Sequence, residues 1–407
     1  MPVGGPLAAA NRLDAATLAS STPMAVAQTD SAEAPKTSRL DSVDILRGLV
    51  MVLMALDHTR GFFSSARFDP TDLSQTSAAL FVTRWITHFC APVFVFIAGA
   101  GAFLSTTRGK SVADLSRFLW TRGLMLVVFE FTIVRFGWAF QYKLDFFVGQ
   151  VIWALGVSMV CLAALVRLPL RFVAIFGVGM IFGHNALDSI RPETLGAMGW
   201  IWKILHVNSP IRLTPNLAFM PAYPLIPWIG VMAAGYAFGS LFSCEAERRK
   251  RIFLVMGLVL TFSFFLIRGL NGYGNPNPWS EQKSPIFTVL SFFNTTKYPP
   301  SLDYLLMTLG PAIFALAFLE KGAGALGRFL VVIGRVPMFY YILHLYLIHG
   351  LAVIMGAVQR MGDPKARGFD LPWIYLVWVI VVLVLYPLCK WYGALKRRRK
   401  DVWLSYL

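Results

Sequence analysis

The sequence predicts an all-α fold: a polytopic transmembrane helical bundle of about ten membrane-spanning helices. Of its 407 residues, 57% are hydrophobic and only 14% are charged, whereas a soluble globular chain carries about 25% charge. Long apolar runs with few charges recur along the chain, and about 20 such residues suffice to cross a bilayer. Basic residues cluster in the short segments between the runs. These features predict one membrane domain with a lipid bilayer around it.

The excess of basic residues is explained by membrane topology and does not indicate a nucleic-acid partner. The net charge is +16 and the calculated pI is near 9.9, but the basic residues stand in short clusters between apolar runs, as positive loop residues do in membrane proteins. The four cysteines stand singly, without the paired spacing of a metal or redox site. We therefore expect neither nucleic acid nor a metal.

The chain divides into three predicted parts. Residues 1–38 are rich in Ala, Ser, Thr and Pro without a continuous apolar stretch, which predicts a disordered tail and not a signal peptide. A transmembrane domain follows at 39–395, and 396–407 form a basic C-terminus. The predicted spans are 42–62, 80–105, 115–136, 146–166, 171–188, 223–243, 252–270, 301–319, 329–357 and 372–394.

The ninth predicted span is long for a single crossing. It contains Gly334 and Pro337, and such residues kink or divide helices. A tilted, kinked or split helix, giving eleven segments in total, therefore stays open.

The basic clusters predict the orientation. With ten spans they all fall on one side, and the positive-inside rule makes that side cytoplasmic, together with both chain termini. The clusters are Arg108, Lys110 and Arg117; Arg167 and Arg171; Arg248 to Arg251; Lys321 and Arg328; and Lys396 to Lys400.

Two long loops on the opposite side, at about 189–222 and 271–300, hold Pro, Asn, Trp and Tyr. Loops of this length are often functional. Trp279 and its aromatic neighbours belong either to the interfacial aromatic belt or to a surface that stacks against a sugar. Both interpretations stay open.

Ionisable residues inside the apolar spans gather toward this outer side. Such residues are expensive in a bilayer and mark functional sites, although residues at helix ends also reach water by snorkelling. A buried, water-filled chamber would explain the layer. It contains His58, His88, His184, His344, His349, Asp57, Arg60, Glu130, Arg135, Asp145, Asp188, Arg268 and Asp303.

The first span carries the strongest pattern. Arg47 and His58 are eleven residues apart, which puts them within about 20° on one helix face and about 16 Å apart along the axis. We expect one passage with a phosphate-binding guanidinium at its base and a proton acceptor above. Asp57 points about 100° away from His58 and suits Arg60, three residues on. His344 and His349 point about 140° apart, which argues against a two-histidine metal site.

The motif Ser42-Val-Asp44-Ile-Leu-Arg47-Gly, followed by an apolar run to His58, is similar to the opening helix of transmembrane acyltransferases, which share Arg, ten residues and His. More closely, the chain resembles the heparan-α-glucosaminide N-acetyltransferase catalytic-domain family, whose bacterial members were long a domain of unknown function. The resemblance covers about 39–395. Its other matching stretches are Ala91–Ser105, Lys297–Asp303, Leu306–Pro311 and Gly334–Tyr346.

The resemblance implies an enzyme of the bacterial inner membrane. Members take an acyl group from cytoplasmic acyl-CoA, such as acetyl-CoA, and deliver it to a sugar on the far side of the membrane. The acceptor group, amine or hydroxyl, stays open, as does the oligomeric state, with a homodimer among the options. The runner-up is a proton-coupled secondary transporter, since buried His and carboxylate groups also serve proton relays.

Acyl transfer needs a base and a donor that stabilises the oxyanion, and His58 is the candidate base. We expect Arg47 to hold a CoA phosphate with Asp44 in support. Gly99 and Gly101 either let the pantetheine arm pass or pack against another helix. Further catalytic candidates are Asp57, His88 and His344; candidate substrate-binding residues are Tyr341, Asp303 and Trp279.

One departure from the family concerns the base itself. The lysosomal relatives have a catalytic histidine in the outer loop after the first helix, and they have Asn at the position of His58. Here no histidine occurs between Gly61 and Thr87. We therefore expect Asp69 or Asp72 to assist His58.

Overall fold

The computed structural model describes residues 41–320, 324–357 and 368–399, together with 401 and 404. The predicted tail at 1–38 and part of the basic C-terminus lie outside this range. The described chain is dominated by α-helices, which are α1 Asp41–Phe63, α2 Ala78–Ile86, α3 Cys90–Thr106, α4 Val112–Phe129, α5 Arg135–Ala139, α6 Val151–Leu165, α7 Leu170–Gly183, α8 Gly199–Leu205, α9 Leu225–Gly239, α10 Ala246–Leu270, α11 Pro285–Phe293, α12 Leu302–Leu319, α13 Gly324–Gly334, α14 Pro337–Ile354 and α15 Leu371–Arg398.

Short turns of other helix types extend several of these elements. A π-helix at Glu130–Val134 joins α4 to α5, and 3₁₀ segments lie at Thr87–Phe89, His184–Leu187, Pro192–Met198 and Ser240–Ser243.

Seven described helical segments are long and apolar enough to cross a membrane, which supports a multi-pass helical membrane protein. The predicted number of ten spans is not confirmed by this criterion. The seven segments are Ala78–Thr106, Leu170–Leu187, Leu225–Ser243, Ala246–Leu270, Leu302–Leu319, Pro337–Ile354 and Leu371–Arg398.

Of the alternatives for the ninth predicted span, the structure shows the split one, because α13 and α14 are separate helices. A Cβ added to Gly48 would lie 2.0 Å from the carbonyl oxygen of Leu330, and one added to Gly334 would lie 1.9 Å from that of Asp44. Leu330 of α13 therefore lies at Gly48 of α1, and Gly334 of α13 lies at Asp44 of α1. The two helices run antiparallel. At about 1.5 Å per residue the 11 residues of α13 cover about 16 Å, too little for a crossing.

The all-α prediction is also incomplete, since a small sheet forms outside the helices. Its strands are β1 Phe146–Val148, β2 Ile211–Thr214 and β3 Leu217–Met220, in the order β1-β3-β2. β3 pairs parallel with β1 and antiparallel with β2. The sheet takes the first residues of the predicted 146–166 span, and α6 begins only at Val151.

The bundle has two chemically different ends. The basic end carries the start of α1 with Arg47, the start of α14 after Arg335, and the end of α15 with Lys396 and Arg397. The loop end carries the end of α1 and the segments 64–77 and 271–301, which meet where the side-chain amide of Asn294 donates to the carbonyl of Thr71 at 2.9 Å.

Candidate active site

A cavity of about 540 Å³ enters the bundle at the basic end. Part of its wall is apolar and includes Phe94, Leu126, Leu155, Met159 and Met338. Five cationic side chains also line it: Arg47, Arg122, Arg335, Lys396 and Arg397. A charged mouth above an apolar interior suits a ligand with phosphate groups at one end and a thin, weakly polar arm at the other.

Arg47 is fixed in the cavity wall by a carboxylate and a carbonyl. Its Nη1 donates to Asp44 Oδ1 at 2.9 Å and to the carbonyl of Gly334 at 3.2 Å. Arg335 Nε lies 3.4 Å from the other oxygen of Asp44. The predicted pair of Asp44 and Arg47 is confirmed, and Asp44 joins two of the cavity's arginines.

The two glycines of α3 have different surroundings. A Cβ on Gly99 would lie 2.1 Å from the carbonyl oxygen of Met232, so this position is occupied by the close contact with α9. A Cβ on Gly101 would lie 3.7 Å from Arg47 Nη2, and Gly101 lines the basic cavity. Tight packing therefore explains Gly99, while Gly101 leaves room beside the guanidinium.

His58 pairs with His344 of α14. Nε2 of His344 lies 2.8 Å from Nδ1 of His58, and Nδ1 of His344 lies 2.8 Å from the carbonyl oxygen of Tyr340. Because a carbonyl only accepts, Nδ1 of His344 carries the hydrogen, and neutral His344 then accepts at Nε2. His58 donates from Nδ1, which leaves its lone pair on Nε2. This arrangement leaves Nε2 of His58 able to accept a proton.

His349 takes no part in this pair, as its predicted direction on the helix implies. Its Nδ1 donates to the carbonyl of Gly137 at 2.7 Å, and its ring stacks on Phe140 at 3.8 Å between centroids. Among the described residues, no group of three or more His, Cys, Asp or Glu side chains is placed to hold a metal ion.

Two side chains with hydrogen-bond donors, Trp138 and Tyr341, stand beside His58. The rings of Trp138 and Tyr341 meet His58 edge to face, at centroid distances of 4.8 and 6.0 Å. Their Nε1 and Oη atoms are buried and lie close to each other, and neither makes a well-formed hydrogen bond among the described residues. Buried polar atoms are normally satisfied, so these two are suited to a ligand.

The basic cavity and His58 are not joined in one open passage. Arg47 lines the cavity, but His58, which is only 9% exposed, does not. Met338 lies in the cavity wall, and one helical turn further along α14 the ring of Tyr341 contacts His58. The predicted single passage from Arg47 to His58 is therefore not open, and Tyr341 lies between the cavity and His58.

Asp57 is the counter-ion of two arginines. It accepts from Arg60 Nη2 at 2.9 Å, which confirms the predicted pair, and from Arg84 Nη1 at 2.9 and 2.8 Å through both of its oxygens. Thr87 Oγ1 donates to it as well, at 3.1 Å. Both oxygens of the Asp57 carboxylate are therefore engaged by Arg60, Arg84 and Thr87. The side chain that orients His58 is His344 and not Asp57.

A second, polar cavity of about 310 Å³ lies at the loop end. It collects Asp69 and His88, two of the predicted catalytic residues, but His58 is not in its wall. The lining is Asp69, Thr71, Arg84, His88, Asn277, Asn294, Thr295, Thr296, Lys297 and Tyr298.

Neither Asp69 nor Asp72 makes a hydrogen bond to His58 in the described structure, because both carboxylates accept hydrogen bonds from their own loop. Asp69 accepts from the backbone and hydroxyl of Thr71, and Asp72 accepts from Ser74 and Gln75. Hydrogen bonds from Ser74 and Gln75 lower the pKa of the exposed Asp72. Such local bonds are typical of Asp in turns.

Asp303 and Trp279 belong to the support of the 271–301 loop. Arg268, at 2% exposure, donates to four loop carbonyls, those of Asn277, Ser291, Phe292 and Asn294. Asp303 Oδ2 lies 3.7 Å from Nη1 of Arg268, and Trp279 Nε1 donates to the backbone carbonyl of Arg268 at 3.0 Å. The geometry gives both predicted substrate residues a structural role.

Sequence reasoning passed over three residues that the structure brings to these sites. Arg84 is a charge within an apolar run and was identifiable on that ground. Lys297 lies in a stretch that carries the family resemblance. Trp138 had no signal of its own, because an aromatic residue in an apolar helix is ordinarily core.

A family model described as heparan-alpha-glucosaminide N-acetyltransferase, catalytic, matches residues 39–271, more than half of the chain. The chain belongs to this family. Membership identifies a membrane acetyltransferase. The matched range includes Arg47, His58 and Gly101, and it ends before Lys297 and His344. No curated protein matches the chain.

Proposed function

We propose that this member of the heparan-alpha-glucosaminide N-acetyltransferase family moves an acetyl group from acyl-CoA at the basic end to an amine or hydroxyl of a sugar at the loop end. The observation that carries the proposal is the hydrogen bond between His58 and His344, which leaves Nε2 of His58 as a proton acceptor. In this proposal His58 acts between the basic cavity and the polar cavity. Family membership favours this enzyme over the transporter.

Acyl-CoA would enter at the basic end. Its phosphates suit the guanidinium of Arg47 and the neighbouring cations, because guanidinium and phosphate form paired, charge-assisted hydrogen bonds. The pantetheine arm would pass Gly101 into the apolar part of the cavity, toward Tyr341. In this proposal the Tyr341 side chain shifts to let the thioester reach His58.

The chemistry would be direct acyl transfer. His58 Nε2 takes a proton from the acceptor N–H or O–H while the acceptor attacks the thioester carbon, and the carbonyl oxygen becomes an oxyanion. Tyr341 Oη and Trp138 Nε1 would donate hydrogen bonds to that oxygen. The C–S bond then breaks, the carbonyl re-forms, and the proton on His58 passes to the departing CoA thiolate.

His344 would position the base. When His58 is protonated, its Nδ1–H keeps donating to His344 Nε2, so the imidazolium is stabilised without a change of geometry. The carbonyl of Tyr340 accepts a hydrogen bond from Nδ1 of His344 and so fixes the orientation of the His344 ring.

We place the basic end in the cytoplasm, in a bacterial inner membrane, with acyl-CoA on that side. The positive-inside rule supports this orientation, and so does the position of the basic cavity.

The test uses purified protein in lipid nanodiscs with labelled acetyl-CoA and glucosamine as acceptor. We expect label on the sugar, and loss of at least a hundredfold in turnover for His58→Ala at unchanged melting temperature. His349→Ala is the matched control and should keep most of the activity. Uptake of glucosamine into proteoliposomes without acetyl-CoA consumption would instead establish the transporter.

A further inference from the structure

The group of side chains around Asp57 at the loop end holds more positive charge than negative charge. Asp57 is the shared counter-ion of Arg60 and Arg84, whose side chains are 13% and 12% exposed. Lys297 lies within electrostatic range of both Asp57 and His58. Three cations therefore share the neighbourhood of one carboxylate, and two of them, Arg84 and Lys297, line the polar cavity.

Lys297 is the one of these three cations that makes no ion pair among the described residues. It is 8% exposed, and no described carboxylate lies within ion-pair distance of it. Its Nζ lies 5.2 Å from the ring centroid of Tyr298, a weak contact compared with an ion pair. Removing an ammonium group from water without a partner is costly, and buried charges are normally paired.

The polar cavity gives Lys297 a place to meet a ligand. Its wall includes Arg84, His88, Asn294 and Lys297, and Nδ1 of His88, a residue that is 98% buried, has no hydrogen-bond partner among the described residues. The carboxylate in this wall, Asp69, is exposed and bound to Thr71. An anion in the cavity would meet cations and hydrogen-bond donors.

We propose that this cavity binds an anionic group of the acceptor, a phosphate, sulfate or carboxylate, through an ion pair with Lys297 and a hydrogen bond from His88. The inference rests on the proposed function, since it assigns the cavity to the acceptor. It makes Lys297 a residue that selects acidic acceptors over neutral ones.

The experiment compares acceptors that differ in one group. Glucosamine, glucosamine 6-phosphate, glucosamine 6-sulfate and a lipid-linked amino-sugar phosphate are each supplied at saturating acetyl-CoA, with Lys297→Gln and Lys297→Arg beside the unchanged protein. We expect kcat/KM at least tenfold higher for the acidic acceptors, through a lower KM. Lys297→Gln should remove the preference and Lys297→Arg should keep most of it.

The soluble and lipid-linked arms tell a free sugar phosphate from a lipid-borne one. Lys283→Gln, an exposed lysine in the same loop, is the control for a general loss of charge. Equal kcat/KM for glucosamine and its acidic derivatives would overturn the anion site and leave the proposed transfer intact.

A binding measurement decides the matter even without turnover. With saturating CoA present to occupy the basic cavity, inorganic phosphate or sulfate should raise the melting temperature of the unchanged protein and of Lys283→Gln, but not that of Lys297→Gln. An equal rise in all three, or none, would contradict the proposal. Binding lost in Lys297→Gln, with no transfer to any acceptor, would keep the anion site and reject acyl transfer.

Discussion

Nε2 of His344 in α14 accepts a hydrogen bond from Nδ1 of His58 in α1 at 2.8 Å, and the two residues are 286 positions apart in the chain. If this bond orients the base, His344→Ala should lower kcat by about 10²- to 10⁴-fold, the usual contribution of general acid–base catalysis, and leave KM for acetyl-CoA within about twofold. The measurement is steady-state turnover in nanodiscs.

The double variant separates positioning from mere packing. Residues that act as a unit are strongly non-additive, so His58→Ala with His344→Ala should be about as slow as His58→Ala alone. Fully additive losses would mean that His344 acts independently of His58.

Tyr341 and Trp138 are predicted to stabilise the oxyanion. Removing one such donor typically costs about 10²- to 10³-fold in kcat, and Tyr341→Phe and Trp138→Phe remove the donor while keeping most of the ring. We expect that loss in each variant, measured by single-turnover acetyl transfer. Rates within threefold of the unchanged protein would remove both residues from the mechanism.

Gly99 and Gly101 should respond differently to the same substitution. Gly99→Ala places a methyl group 2.1 Å from the Met232 carbonyl oxygen, so the protein should lose thermal stability or fail to assemble. Gly101→Ala should fold normally, because its nearest contact is 3.7 Å. Gly101→Leu should fold but exclude acyl-CoA, which would appear as weakened binding in a fluorescent CoA-analogue assay. Tight CoA binding by Gly101→Leu would contradict the assigned entry route.

Arg47 is predicted to act on the donor substrate. Arg47→Gln should raise KM for acetyl-CoA about tenfold or more, with a smaller change in kcat, and should weaken the salt dependence of binding because one phosphate contact is lost. The KM of Arg47→Lys for acetyl-CoA should lie between those of the unchanged protein and Arg47→Gln. Arg248→Gln, an exposed arginine outside the cavity, is the control and should leave KM unchanged.

Trp279 distinguishes loop support from sugar stacking. Trp279→Phe keeps an aromatic ring but loses the bond to the Arg268 carbonyl, a loss of about 1 kcal/mol. We expect a lower melting temperature with an unchanged KM for the acceptor. A raised KM at full stability would favour stacking against the acceptor.

Much of the helical architecture follows from the sequence because local rules govern it. Asp44 with Arg47, and Asp57 with Arg60, pair as helix spacing predicts. The sequence does not decide the division at Gly334 and Pro337, because a glycine and a proline permit a break without requiring one. What decides it is the contact of α13 with α1, which only the folded chain contains.

The candidate site was less accessible to sequence reasoning for the same reason. The partner of His58 lies 286 residues away, and no periodicity links two positions on different helices. Asp69 was near His58 in sequence yet lies in the loop-end cavity, since its own turn satisfies it. Lys297 becomes informative only when its surroundings show three cations around one carboxylate.

The most direct test of transfer between the two ends uses oriented proteoliposomes. Labelled acetyl-CoA is supplied only at the face that carries the basic end, and glucosamine 6-phosphate and glucosamine are enclosed on the other side. We predict acetylated sugar inside the vesicles, with none for His58→Ala and none when the protein is inserted in the reverse direction. Acetylation that is independent of orientation, or that survives His58→Ala, would contradict transfer through the His58 and His344 pair.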